Sequence, residues 1–441
     1  MTLQKLNVRR TFFIGLAFFA ILLLWRVHLV QTPLLLQRLL SEHFDFTESG
    51  EGLGIIGIVM AIDNILAIFL LPLFGMWSDR TNNRLGKRMT FILIGGLLSV
   101  IFFPLMAVMF VFNRIWLFIV MLALMKIAMN LWRGPAVALM PDITPKPLRA
   151  KANAIINFVG YIGAIIGGGL VMVWSFYWDS DIQVIHSNLW AFYLTAVIML
   201  AVVLILLFYF KENKVNEEMR EQMEIGEDLS ETTERVVANK PLSKRDKMNL
   251  WFVMGAVFMA WFAFNALDTF GSLYEQYRFN TRNWGMLGIV LAFSALVAFL
   301  PCIKLTKKIG RKNSVLLGMG INIFALVLAL FMPNTWALIP VFIIMGVGWA
   351  LVNISALPIV VEMASLKNIG KIIGVYYIAT QSAQALTSVS AGFLFRGLGD
   401  NWTYWFWAYG IAFMTFAFIL CLFFKPRKVD LTISISSSAT D

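Results

Sequence analysis

Five ionisable side chains, Arg26, Asp63, Lys126, Arg133 and Asp268, fall inside long apolar runs of the chain. A charge in mid-bilayer costs about 2.5–3.5 kcal/mol on insertion scales, so each is expected to face protein or water and to mark a site. Spacing groups them. In the fourth apolar run Lys126, Asn130 and Arg133 stand at i, i+4 and i+7 and share one helix face; in the seventh, Asn265, Asp268, Ser272 and Glu275 or Gln276 do likewise. The first run adds Arg26, His28 and Gln31, the tenth Asn353 and Ser355, the second Asp63 with Asn64, and the eleventh Gln381, Gln384 and Ser388. Such a set can bind a polar cargo. A carboxylate among them that gains and loses a proton as its neighbours change can couple that binding to a proton gradient. Asp63 and Asp268 are placed for this, with Arg26 and Lys126 as candidate partners. The competing reading of each polar residue is a hydrogen bond between helices, which averages about 0.6 kcal/mol in membranes.

The elements that must carry these residues are apolar runs at about 11–36, 52–76, 89–111, 115–138, 152–175, 188–210, 249–273, 284–303, 313–332, 336–360, 372–394 and 402–424. Most are about the length that crosses a bilayer, where the backbone must satisfy its own hydrogen bonds, so all are expected to be helices. Composition agrees: of 441 residues 59% are hydrophobic and only 14% charged, against about 25% charged in soluble domains. The net charge of +11 does not point to nucleic acid, because the basic residues lie in short turns between the runs. With the amino terminus in the cytoplasm, inner segments hold twenty Lys and Arg and outer segments five, which places both termini inside. The first run follows Lys5, Arg9 and Arg10 without a small-residue cleavage site and reads as a retained span. Cys302 and Cys421 show neither metal spacing nor a disulfide framework.

Residues 211–248, with ten acidic and eight basic side chains, divide the chain. The expected organisation is a six-helix bundle at 1–210, a cytoplasmic linker at 211–248, a second six-helix bundle at 249–424 and a cytoplasmic tail at 425–441. Asn216 to Met223 could form an amphipathic surface helix, though a solvated tether is the preferred reading. The halves match at their turns. Gly75 to Arg88, GMWSDRTNNRLGKR, has a counterpart in Gly310-Arg311-Lys312, and Arg133–Lys151 falls on Asn353–Lys371 at an offset of 220, placing Asp142 on Glu362. Two parallel repeats with the cargo midway between them follow from that duplication.

The spacing Gly75-x-x-x-Asp79-Arg80 followed by Gly86-Lys87-Arg88 resembles the inner loop of the major facilitator superfamily. Its longer form with Ser78 and Arg84, and the turn Arg133-Gly134-Pro135 through Ala138-Leu139-Met140-Pro141-Asp142-Ile143-Thr144-Pro145, are similar to the sucrose/proton symporters and the neighbouring glycoside–pentoside–hexuronide:cation symporters. The resemblance implies an all-α membrane protein, twelve transmembrane helices in two bundles, with helices 1, 4, 7 and 10 lining a central cavity. It implies a secondary transporter of the cytoplasmic membrane, proton-coupled, for a sugar or glycoside. The chain departs at Leu71 before Pro72 and at Ala67, where sodium-coupled relatives carry aspartates, so no sodium site of their type is expected.

The expected substrate-binding set is Arg26, Gln31, Lys126, Asn130, Arg133, Asn265, Asp268, Ser272 and Asn353, with Asp63 and Asp268 as proton-coupling groups. Gly75, Asp79, Arg80, Gly86, Arg88, Asp142 and Glu362 are expected to gate the inner side, their opposite charges pairing when it shuts. Gly160, Gly163, Gly167, Gly168 and Gly169 form a small-residue face suited to close helix contact. Trp116, Trp174, Trp178, Trp251, Trp284, Trp336 and Trp402 sit near run ends as interface anchors, whereas Trp25, Trp132, Trp261 and Trp349 could stack on cargo. No cofactor or metal is expected; the partners are a small molecule, protons and the lipid bilayer, and the protein is expected to be a monomer. Because Arg26, Lys126 and Arg133 outnumber Asp63 and Asp268, an anionic cargo such as a sugar acid, a phosphorylated compound or a lipid headgroup is the alternative. A membrane receptor that binds without transport is a third reading. Enzyme motifs such as HExxH, a nucleophile elbow or a Walker loop are absent from the sequence.

Overall fold

The computed structural model describes residues 4–45, 50–175, 189–234, 244–281, 283–362 and 369–425, and among these every regular element is helical. In chain order the helices are α1 (Val8–Phe44), α2 (Leu53–Arg80), α3 (Lys87–Val111), α4 (Ile115–Ile143), α5 (Arg149–Ser175), α6 (Trp190–Tyr209), α7 (Glu212–Glu234), α8 (Lys244–Phe279), α9 (Trp284–Ile309), α10 (Arg311–Ala329), α11 (Thr335–Glu362), α12 (Ile369–Gly397) and α13 (Trp402–Phe423). Eleven are long and apolar enough to cross a membrane. The two outside that set are α7, which is strongly polar, and α12. A crossing takes about 20 residues, and α12 has 29. Its hydropathy is lowered by Thr380, Gln381, Gln384, Thr387 and Ser388, all buried. These groups are spent inside the protein: Thr387 Oγ1 donates to the Phe262 carbonyl at 2.8 Å, and Asn265 Nδ2 donates to Ser388 Oγ at 3.0 Å.

The packing of the first six helices recurs in the last six. Contacts of α1 with α5 and α6, of α4 with α2 and α3, and of α3 with α6 have counterparts in α8 with α12 and α13, α11 with α9 and α10, and α10 with α13. The turns that open α3 and α10 also match, since each begins after a glycine with positive φ, Gly86 at 107° and Gly310 at 83°. Between the two sets, α2 packs on α12, α5 on α9 and α1 on α8.

Glycines decide how closely those helices approach. On α5, a Cβ at Gly163 would fall 2.1 Å from the Phe19 carbonyl of α1, and Gly160 and Gly167 also face α1. Gly168 is turned instead to Gly285 and Ile289 of α9, and Gly169 faces open space, so the small-residue face serves two neighbours rather than one.

Two expectations change. Trp116, Trp251 and Trp336 are exposed as interface anchors should be, but Trp284 and Trp402 are buried. Both open helices whose first turn folds back onto α8, where they join Tyr274 and Phe406 in an aromatic cluster. The Trp174 side chain and Trp178 lie outside the described residues. Residues 212–234 form a helix rather than a tether, docked against the first set of helices.

Candidate functional site

Trp25 and Arg26 on α1 sit where both sets of helices converge. The Arg133 guanidinium of α4 lies over the Trp25 ring, 4.6 Å from its centroid, and the Lys126 ammonium lies 5.4 Å from the same centroid. The i, i+4, i+7 face of α4 thus meets α1, and cation–π attraction offsets part of the cost of burying two positive charges together. Lys126 is 2% exposed, and its ammonium lies 3.0 Å from Asp63 Oδ2 on α2. Asn130 donates to the Lys126 carbonyl, a bond within its own helix.

Arg26 turns the other way. Its Nη1 lies 3.2 Å from Asp268 Oδ1, so this pair joins α1 to α8. Gly288 on α9 makes the geometry possible: a Cβ there would fall 1.1 Å from Arg26 Nη2. The five intramembrane charges therefore resolve into two ion pairs and one arginine, Arg133, seated on tryptophan within electrostatic reach of Asp63 and of Tyr377 on α12.

Other expected residues fall around this centre. Gln31 and Ser272 are buried, with Gln31 Nε2 and Ser272 Oγ lacking hydrogen-bond partners. Asn265 is committed to α12 through the Gln384 carbonyl and Ser388 Oγ, both at 3.0 Å, which makes it a tie between helices. Asn353 is exposed and donates to the Trp349 carbonyl one turn back. Trp349 stacks on Phe264 at 4.1 Å and meets Trp261 edge-on at 5.0 Å, forming an aromatic wall from α8 and α11. Trp132 is fully buried between α4 and α3, packed against Gly95 and Gly96, and faces away from the charges. His28 is buried and hydrogen-bonded through Nδ1 to Thr32 Oγ1 at 2.7 Å.

The loop motif forms a second charged centre. Arg88 reaches the Gly75 carbonyl at 3.1 Å, Ser78, Asp79 and, through Nε, Asp142 Oδ2 at 2.9 Å; Lys87 also pairs with Asp142 at 3.0 Å. These bonds hold α2, α3 and α4 together, all from the first set of helices. Arg80 is exposed, and the Glu362 side chain lies outside the described residues.

The residue that sequence reasoning missed here is Glu212. Its carboxylate accepts from the Arg88 amide at 2.9 Å and the Met89 amide at 2.7 Å, capping α3 from the first turn of α7. Gly86 is required beneath it, because a Cβ there would lie 2.4 Å from the carboxylate. The only hint in the sequence was an acidic residue just after the sixth apolar run, one of ten acids in the linker.

Comparisons with known proteins agree with this architecture. The family model described as Major Facilitator Superfamily matches residues 14–388 and 285–438. The chain is 24% identical over 388 residues to the class E tetracycline resistance protein of Escherichia coli, covering 85% of this chain and 86% of that one. Among solved structures it is similar to the inward-open xylose transporter XylE from E. coli, with a TM-score of 0.71 and 14% identity over 97% of this chain and 99% of that one. A D-xylose-proton symporter is equally close in fold, with a TM-score of 0.71 and 15% identity over 94% and 98% of the two chains. Family and fold are those of multi-pass membrane transporters for small substrates. A bundle of two similarly packed sets of helices, joined by an ion pair between them and matching that family along most of its length, belongs to the major facilitator superfamily.

Proposed function

We propose that the protein moves a sugar or glycoside across the cytoplasmic membrane by alternating access in symport with protons, as a monomer. In this reading α12 is the twelfth span, both termini are cytoplasmic, and the finer kinship is with the sucrose and glycoside symporters. The observation that carries it is the Arg26–Asp268 pair, 3.2 Å long, which joins α1 to α8 at the centre of the bundle. A pair between the halves can be broken by a proton on the acid and replaced by cargo hydroxyls on the arginine, which links cargo to proton. Lys126–Asp63 offers the same exchange within the first half. The aromatic wall of Trp261, Phe264 and Trp349 faces the role of a stacking surface for a sugar ring.

The gating charges act with the linker side. Asp79, Arg88 and Asp142 form one ion-paired cluster on the first half, and the proposed partner across the gap is Glu362 on the second.

The test is accumulation of neutral disaccharides and monosaccharides in proteoliposomes under an imposed proton gradient, with tetracycline as a competing cargo because the similar curated protein is a tetracycline resistance protein. Gradient-driven sugar uptake that is lost in Asp268→Asn and Arg26→Ala is the expected result. Uptake unchanged in Asp63→Asn and in Asp268→Asn would rule out both aspartates as coupling groups. Arg133 favours a second reading, an anionic cargo, because it rests on Trp25 rather than in an ion pair. A sugar acid that outcompetes its neutral parent, and loses that advantage in Arg133→Gln, would select it.

A further inference from the structure

Glu275 lies in the last turns of α8, on the side of the bundle away from the linker, and is wholly buried. The groups turned toward it are neutral: the hydroxyls of Thr281 and of Thr335 at the start of α11, and the backbone amides of Asn283 and Trp284 where α9 begins. The Trp284 ring closes the space. It lies on Gly271, one turn back on α8, where a Cβ would fall 1.8 Å from the ring, and it packs edge-on against Phe342 of α11 and Phe406 of α13. The charged groups nearby are engaged elsewhere. Arg278 lies over the Tyr404 ring of α13 at 4.4 Å, Asp400 acts on Tyr277, and Tyr277 accepts from Gln37 of α1 at 3.1 Å.

The contrast with the two aspartates is chemical. Asp63 and Asp268 each have a cation, at 3.0 and 3.2 Å, whereas Glu275 has none among the described residues. A carboxylate surrounded only by neutral groups in an apolar interior is so costly to ionise that the group takes a proton instead.

We propose that Glu275 is a proton-binding site of the transport cycle, neutral while Trp284 seals it and deprotonated to the far side when the ends of α8, α9 and α11 part. The step is a simple acid dissociation in which the O–H bond breaks, water takes the proton, and the carboxylate keeps the electron pair. The inference rests on the alternating-access reading and adds a third acid that the ion-pair exchange does not use. It also makes Glu275, on the face shared with Asp268 and Ser272, the group that meets bulk water on the side opposite the linker.

Infrared difference spectroscopy on the full-length protein in detergent tests it without any cargo. The carbonyl stretch of a protonated, weakly hydrogen-bonded acid should be present in the wild type, lost in Glu275→Gln, and retained in Asp63→Asn and Asp268→Asn. The band should titrate reversibly while the protein stays folded, and its exchange in heavy water should quicken several-fold in Gly57→Leu, where even a Cβ would fall 2.2 Å from the Ser388 carbonyl of α12 and should force α2 and α12 apart at the far side. A band unchanged in Glu275→Gln overturns the proposal; so does one that belongs to Glu275 but neither titrates nor exchanges faster in Gly57→Leu, which would leave a purely structural acid. If Glu275→Gln does not fold, Glu275→Asp should shift the band instead, and an unshifted band overturns the assignment. A Glu275 band in a protein that moves no cargo under any gradient would sink the transport reading, not the proton site.

Discussion

Lys126 and Asp63 sit 3.0 Å apart, 2% and 7% exposed, and that isolation decides what removing either one does. Lys126→Met leaves a buried carboxylate with its cation gone, and Asp63→Asn leaves a buried ammonium; breaking such a pair costs about 3–5 kcal/mol. The double variant removes both charges and should recover most of that loss, so thermal unfolding in detergent should show strongly non-additive effects. Additive losses would mean that the two charges do not depend on each other. The sequence made these residues visible because a charge among apolar neighbours is expensive wherever the helix points. Their pairing was not visible. It depends on helix rotation and on permissive positions such as Gly288, whose missing Cβ admits the Arg26 guanidinium and which no pattern in α9 singles out. Asn265 is the converse case: its spacing puts it on the charged face, and the structure adds a bond from its amide to α12 that the spacing does not show.

Among the elements, α7 departs most from expectation, and Glu212 explains why it docks. The first amides of a helix have no partner of their own, and here an acid from another element supplies one to Arg88 and Met89. Further along, Glu218 pairs with Arg10 at 2.6 Å and Gln222 accepts from the Gln4 amide at 2.9 Å, so α7 straps the start of α1 to the α2–α3 turn. A low-hydrophobicity segment looks like a solvated tether when only its own burial is counted; its polar caps to other helices have no periodic signature. Removing the cap with Glu212→Ala should cost about 1–2 kcal/mol, seen as faster hydrogen exchange at Arg88 and Met89. Burial pushes the Glu212 carboxyl above its ordinary value, against the pull of the Met89 and Arg88 amides. An acid that binds its proton more tightly when folded adds stability that is fully present below the unfolded value and is lost as pH rises through the folded one. The wild-type melting temperature should therefore fall across that window, while Glu212→Gln should lack the fall. An identical slope in both would show that the carboxyl does not titrate with docking.

At the scale of the whole molecule, the contacts between the two sets of helices are concentrated on the side away from α7. Gly50 meets Gly399, Gly57 meets the Ser388 carbonyl and Gly392, Gly168 meets Gly285, and Gln37 bonds Tyr277. On the linker side Gly75 and Gly310 face open space. The described state is thus closed at the far end, and a rocking bundle must be able to exchange which end is closed. Gly57 is the place to force that exchange. A Cβ there would fall 2.2 Å from a backbone carbonyl of α12, which cannot swing aside as a flexible side chain could. Gly57→Leu should therefore wedge the far side apart and close the linker side. Spin labels at Asn113 and Asn334 report the far ends of the two halves, and labels at Asn82 and Asn313 report the linker ends, in a background without Cys302 and Cys421. Electron–electron resonance should show the first distance lengthen and the second shorten relative to the parent. If both distances instead stay fixed while the protein remains folded, the halves do not move as two bodies about the central ion pairs. Lengthening of the far pair alone would mean that the bundle merely swells, because only rigid halves convert an opening at one end into a closure at the other.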